Sequence, residues 1–489
     1  MGRAGTFLRA CPLAAKAGSG ARAAPSLGAA RSRTQREGAG QRAGRAAVVE
    51  IRPFPALRYD PARVDPDTVI APPYDVVDEG DLKALLERSP YNVARVESAP
   101  GEAESRFGEA ARTLAEWRRS GILRRDESPS YYVYEQRSRV GGATTTRRGL
   151  FCRLRLGEPG RGEGPEQVRP HEATMEGPRA ERLALLEATG AHVSPIFGIF
   201  EDDEHGSAAE TLAEAASAEA DFEGADARGD RHRLWMLRDG RLRRRLEAVI
   251  AASPVTIADG HHRYATALAY RDRRRARSGA GWSDDDPAGF VLAALVPAGD
   301  PGLVVLPIHR LVRAPALPGD LLARLAELYV VEDMTPKGWD GTAAHRLWGR
   351  VRAGETGPLT FGAIGLEDQR LHVLTARSRR AVEARMPERL SPASRRVDVL
   401  ALTETVLRPL LGIDHRDLAS GERVAFTENV EEAWERVASG RFRLAFLVNP
   451  TRVAQVLEVA ASGELLPQKS TFFYPKLGTG LVLDALDGA

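Results

Sequence analysis

The chain's 489 residues are 43% hydrophobic and 28% charged, which points to two or three globular domains and excludes fibrous and collagen-like classes. The net charge of +2 is unevenly spread: residues 1–47 hold eight arginines, Lys16 and a single acid, Glu37, a local sum of +8 that leaves −6 on the remainder. An acidic body has no global pull towards nucleic acid or anionic membranes, so neither is an expected partner, although a local basic pocket is allowed.

The two cysteines, Cys11 and Cys152, cannot build a disulfide framework or a thiolate zinc site. No apolar run approaches the roughly 18–20 residues that span a bilayer. A cytoplasmic protein of bacterial type is therefore expected, with its oligomeric state left open. Residues 1–47 are rich in Ala, Gly, Arg and Ser and have no sustained apolar face. They read as a disordered tail or as translation upstream of the true start, with an organellar transit peptide as the alternative.

Order is expected from residue 48, with a strand over 48–54 and an extended turn at Pro72-Pro73. Helices follow over 81–88 and 104–120, the second with Phe107, Ala111, Leu114 and Trp117 on one face. Residues 131–137 and 147–156 read as a hairpin through Gly141-Gly142, and 157–167 as a Gly/Glu/Pro loop. Next come a short helix over 181–188, a strand over 194–200 and an Ala-rich helix over 207–219. Strands are expected over 234–238 and 255–258, a helix over 261–277, and buried strands over 290–296 and 303–307. The Pro-containing stretch 314–319 reads as a domain boundary. Beyond it are helices over 321–329, 397–411, 430–439 and 451–462, strands over 359–363, 371–374 and 443–448, and a final loop to residue 483. Interleaved strands and helices define an α/β or α+β class.

The strongest local signal is Val255-Thr256-Ile257-Ala258-Asp259-Gly260-His261-His262-Arg263-Tyr264. An apolar strand ends in Asp-Gly and a helix starts at once. A helix N-terminus offers backbone N–H groups and the positive end of the dipole, and Gly260 lets the backbone approach a ligand closely. Basic residues in that first turn are unfavourable unless an anion offsets them, so the turn reads as a phosphate site. The plainer alternative makes Asp259 an N-cap and puts the histidines on the surface. A zinc site drawn from His171, His192, His261, His262 and His309 is the other alternative, but none of them forms a spaced pair such as HExxH.

Two further segments carry candidate chemistry. In Pro170-His171-Glu172-Ala173-Thr174 the Glu172 carboxylate is flanked by His171 and Thr174, an arrangement that suits a general base; the alternative is a capping arrangement ahead of a helix led by Pro178. In Lys469-Ser470-Thr471-Phe472-Phe473-Tyr474-Pro475-Lys476 three aromatics stand between two lysines. That loop either folds over a site and presents Lys469 and Lys476 to a phosphate or carboxylate, or simply docks its rings on the core. Leu306-Pro307-Ile308-His309-Arg310 and Pro72-Pro73-Tyr74-Asp75 are weaker candidates for the same cleft. No GxxxxGK[ST], GxGxxG or GxSxG signature is present, so a bound nucleotide would not sit on a P-loop or Rossmann domain.

Eight blocks in order carry a family resemblance: Ala71-Pro72-Pro73-Tyr74-Asp75, Pro90-Tyr91-Asn92-Val93, His171-Glu172-Ala173-Thr174, Ser194-Pro195-Ile196-Phe197, Asp259-Gly260-His261-His262-Arg263-Tyr264, Leu306-Pro307-Ile308-His309-Arg310, Phe446-Leu447-Val448-Asn449-Pro450 and 467–476. Across residues 48–485 the chain resembles the domain of unknown function 1015 family. The His171-Glu172 and Asp259-Gly260-His261-His262-Arg263 blocks also resemble, in type and order, those of the free-serine kinases of the ParB/sulfiredoxin-like superfamily, with a longer stretch between them here. The resemblance implies a ParB/sulfiredoxin-like catalytic core with large insertions over 48–313 and a C-terminal α/β domain over 320–489 with a closing loop. It further implies ATP or ADP as donor, a small hydroxylated metabolite as acceptor, and Glu172 as base, with His171 and Asp259 also in the catalytic set. Gly260, His261, His262, Arg263, Lys469 and Lys476 would hold the phosphates, and Asp259 would hold Mg²⁺ or a histidine. The competing reading is a nucleotide-binding regulatory protein of ParB type without small-molecule chemistry. It fits less well, because the acidic body shows no clear helix-turn-helix. A scaffold with a relic anion site is the third reading.

Overall fold

Residues 196–200 and 290–297 lack polar alternation, the pattern of strands covered on both faces, and they are neighbours at the centre of a nine-stranded mixed sheet. In this computed structural model the strands of that sheet, in chain order, are β1 (Ile51–Arg52), β2 (Tyr132–Val140), β3 (Ala143–Arg155), β4 (Val168–Arg169), β5 (Ile196–Phe200), β6 (Phe222–Ala225), β7 (Arg231–Met236), β8 (Val255–Asp259) and β9 (Phe290–Pro297). Their order is β4-β8-β5-β9-β3-β2-β7-β6, with β1 on β3. The β4–β8 and β5–β9 pairs are parallel and the others antiparallel. A Cβ on Gly198 would lie 2.6 Å from Leu295 Cδ2 and 2.7 Å from Val255 Cγ1, so glycine is what lets β8 and β9 pack tightly around β5. The expected hairpin is longer than its apolar core, because Gly141 (φ +57°) and Gly142 (φ +86°) turn β2 directly into β3.

The structure describes residues 49–487 except 102, 158–166, 175, 315, 337–340 and 368–369. The expected tail over 1–47, most of the loop over 157–167, and Met175 between Thr174 and Glu176 lie outside the described residues.

The chain continues through β10 (Val304–Leu306) into a second, six-stranded sheet: β11 (His309–Val312), β12 (Tyr329–Asp333), β13 (Thr360–Ile364), β14 (Leu371–Ala376), β15 (Val424–Thr427) and β16 (Leu444–Leu447). Its order is β12-β14-β13-β16-β11-β15. Both sheets carry apolar clusters, with Phe151 and Phe197 in the first and Phe361 and Phe446 in the second. The fold is therefore mixed α/β with more than one sheet.

The described residues 49–487 lie within one compact unit. The physical reason lies in the pairing. β11, expected in the first domain, joins the second sheet. The tail of the chain returns: β17 (Phe472–Tyr474) pairs with β10, and residues 484–485 pair with 191–192.

Two helices bear on the site, α1 (Glu176–Thr189) and α2 (His261–Ser278). α1 starts earlier than its leucines indicate. The helix Gly240–Ala252, capped by Asp239, was not expected from the sequence. The expected helix over 397–411 is broken by a π turn at Thr403–Leu407. Among the described residues no helix is long and apolar enough to cross a membrane.

Candidate functional site

β8 ends at Asp259, and Gly260 takes a left-handed conformation (φ +88°) before α2 starts. Hence Asp259 does not cap the helix, and the N–H groups of His261, His262 and Arg263 occupy the first turn, where an α-helix supplies no backbone partner. The Arg263 side chain folds back beneath the turn. Its Nη2 donates to Asp259 Oδ2 at 3.1 Å and its Nη1 to the Pro195 carbonyl, while Nε is buried without a partner. A Cβ on Gly260 would stand 3.1 Å from Arg263 Cζ.

The closing segment supplies the second cation. Lys476 Nζ donates to Asp259 Oδ1 at 3.1 Å and lies 4.5 Å from the Phe472 ring centre. Against the cost of burial, Lys476 and Arg263 hold the Asp259 carboxyl well below the usual carboxylate range. Both oxygens of Asp259 are thus taken by organic cations, and among the described residues no group of three or more His, Cys, Asp or Glu could hold a metal. These residues do not fit a magnesium ion at Asp259.

His171 and Glu172 lie alongside this turn. The His171 N–H donates to His261 Nε2 at 3.2 Å, and the two rings meet edge to face at 4.6 Å. His171 is fully buried; its Nδ1 donates to the Ile257 carbonyl at 2.6 Å, which leaves Nε2 as an acceptor for the Thr471 hydroxyl at 2.9 Å. Thr471 Oγ1 is also 3.3 Å from Glu172 Oε1. The partner of Glu172 is therefore Thr471 of the closing segment, not the neighbouring Thr174. One hydroxyl proton cannot serve both acceptors. When it points to His171, Glu172 is best accommodated protonated, donating to Thr471. When Glu172 ionises, the hydroxyl turns to it.

Burial sets the charge states. It lifts the Glu172 carboxyl to about 7, against the pull of Lys469. It holds His171 down to about 4 and pushes His261 and His262 below the ordinary imidazole range as well. The two imidazoles of the turn are neutral near pH 7, so its positive charge comes from Arg263 and Lys476. Two further cations stand behind it. Arg310 of β11 is fully buried; it donates from Nη2 to the Lys469 carbonyl at 3.0 Å, and burial lowers it to about 9, opposed by Glu172. Arg147 of β3 lies 4.7 Å from the centre of the Phe197 ring, and Phe197 pairs with Asp259 across a bulge. Neither arginine has an ion-pair partner among the described residues, and each keeps at least one buried N–H unpaired. Lys469 holds a positive φ of +59°, a costly conformation for a side-chain-bearing residue.

Four segments distant in sequence line one cavity of about 210 Å³: Tyr74 and Asp75, Glu172 and Ala173, Asp259 to Arg263, and Gln468 to Lys476. All the residues expected at the site border it except His171, which is buried behind Glu172. Tyr74 and Asp75, weak candidates in the sequence, line the cavity. Arg310 does not reach it and acts from behind Lys469. Thr471 and Arg147 were missed as site residues: a threonine among aromatics and a lone arginine within a strand carry no local signal. A larger cleft of about 580 Å³ lies elsewhere, around Arg58, Asp60 and Arg124. Most of its charges are mutually paired, Arg58 with Asp126, Arg124 with Asp60 and Arg238 with Asp221.

The family comparison matches residues 51–400 to "Protein of unknown function (DUF1015)". The chain belongs to this family. The match includes the His-Glu and Asp-Gly-His-His-Arg blocks and stops before the closing segment. No curated protein matches. Among solved structures, a free serine kinase in complex with AMP is similar at 12% identity and TM-score 0.31, covering 63% of this chain and 83% of that one. A variant of that kinase in complex with ADP is similar at 11% identity and TM-score 0.30, covering 63% and 84%. A conserved hypothetical protein from Pyrococcus furiosus is similar at 13% identity and TM-score 0.30, covering 63% and 87%.

Proposed function

We propose that the protein is a nucleotide-dependent phosphotransferase that acts on a small hydroxylated metabolite, with ATP or ADP as donor. The observation that carries this reading is the single cavity in which Glu172, poised at about 7, faces the Gly260–Arg263 turn under Lys469 and Lys476. The local electrostatics favour a polyanion. Arg263 and Lys476 share the one carboxylate of Asp259, the exposed Lys469 adds a cation to the cavity lining, and Arg147 and Arg310 are buried behind it with no ion-pair partner among the described residues. Burying cations without counter-charges is costly unless an anion arrives.

In this mechanism the N–H groups that follow Gly260 hold the terminal phosphates, and Arg263 beneath the turn offsets their charge. Lys476, anchored on Asp259, fixes the closing segment over them. Glu172 accepts the proton of the acceptor hydroxyl as the acceptor oxygen bonds to phosphorus and the bond from phosphorus to the nucleotide's bridging oxygen breaks. Electrons from that broken bond stay on the departing nucleotide. A base near 7 is matched to this task at neutral pH.

The test is a thermal-shift screen of nucleotides, followed by transfer of a labelled terminal phosphate to serine and related hydroxy compounds. Glu172→Gln should retain nucleotide binding and lose transfer by at least a hundredfold. Full turnover by that variant, or no nucleotide binding by the native protein, sinks the proposal.

A further inference from the structure

We propose that an apolar groove beside Glu172 receives a hydrocarbon portion of the acceptor, so that the molecule phosphorylated is a hydroxy compound bearing an apolar group and not a bare hydroxy amino acid. This inference rests on the phosphotransfer reading and narrows its acceptor.

The groove measures about 460 Å³ and is walled by Leu390, Leu400, Leu418, Leu465, Leu466 and Pro467. It adjoins the candidate active site, because Ala173 and Gln468 line both spaces. Those two residues follow Glu172 and precede Lys469, and Glu172 is itself bridged to Leu466. The groove therefore leads off from the side of the cavity where the base stands. None of Asp259 to Arg263 borders it. A nucleotide held by the turn would not fill it, whereas a molecule with its hydroxyl at Glu172 would extend into it. Size agrees. The polar cavity of about 210 Å³ is below the roughly 300–1,000 Å³ of pockets that enclose a whole ligand, so it suits the reacting ends alone, and the groove adds the room for a substituent.

Two local features single out this wall. Leu465 is 48% exposed, one of two large hydrophobic side chains so exposed among the described residues, and it stands at the groove. Glu404, also on the wall, belongs to the π turn Thr403–Leu407, a distortion that occurs often at functional sites. Its carboxylate is engaged by Arg408 at 2.7 Å, so it does not set a free charge against an apolar ligand. Arg389 stands exposed at the rim, where it can meet a carboxylate on the acceptor.

The test uses the full chain, the nucleotide that gives the largest thermal shift, and N-acyl serines from acetyl to octanoyl beside free serine. Burial of each methylene should raise kcat/KM by about fourfold until the groove is filled. Leu465→Glu should flatten that rise and leave the nucleotide thermal shift unchanged. The exposed position of Leu465 spares the fold. A flat series in the native protein, or a preference for free serine, overturns the inference while the phosphotransfer reading stands. Absence of any nucleotide shift removes both.

Discussion

Lys476 Nζ lies 3.1 Å from Asp259 Oδ1, joining residues 217 positions apart in the chain. This pair pins the closing segment to the strand end that bears the turn, and Arg263 occupies the other carboxylate oxygen. Truncation of Lys476 leaves a largely buried carboxylate with one cation in place of two. Lys476→Ala should cost about 3 kcal/mol of stability, the low end for breaking a buried pair, and should weaken nucleotide binding at least tenfold. Denaturant titration and calorimetric binding measure the two effects.

Gly260→Ala tests the turn itself. The backbone at φ +88° disfavours any side chain, and the added Cβ would press on Arg263. The expected cost is about 1–3 kcal/mol, read by thermal unfolding, together with loss of phosphate affinity. A variant as stable as the native protein would show that the turn adopts another conformation.

The hydrogen-bond chain from His171 through Thr471 to Glu172 makes a sharper prediction. Thr471→Val removes the hydroxyl that both residues use. It should lower kcat about tenfold or more, with little change in KM for the nucleotide. Thr471→Ser should restore most of the rate. Equal rates for the valine and serine variants would contradict the role given to the hydroxyl.

Two pH dependences follow with opposite signs. Glu172 is held near 7, above the usual carboxyl value, so the folded state binds its proton more tightly; stability from this group is full below about 4.5 and is lost as pH rises to about 7. The rate of phosphotransfer should rise over the upper part of that range as the base ionises. His171 is held near 4, below the ordinary imidazole value, so the unfolded chain binds more protons. Stability from it is present above about 6.5 and falls by roughly 1.4 kcal/mol per pH unit as pH drops towards 4. Unfolding curves at several pH values, with His171→Phe as comparison, separate the two terms.

Local physics made part of this legible in sequence. The junction of an apolar strand, Asp-Gly and a basic first turn identifies residues 255–264, because strand, glycine and helix start each leave a mark within ten residues. Runs such as 290–297 announce buried strands. Long-range partners leave no such mark. The pairing of β17 with β10 draws the last segment over the site, and only that return brings Thr471 to Glu172 and Lys476 to Asp259. The helix at 240–252 was overlooked because its arginines mask Leu242, Leu246 and Ile250 on the buried face. The imidazoles of His261 and His262 were expected to carry charge, a property that burial removes and composition cannot report.

Calorimetric titration of the native protein with ADP, ATP and adenosine tests the central claim most directly. If phosphates sit on the turn at Gly260–Arg263, at least one of the two nucleotides binds, and adenosine binds at least a hundredfold more weakly. Equal affinity for adenosine and the nucleotides, or no binding by either nucleotide, would contradict the account.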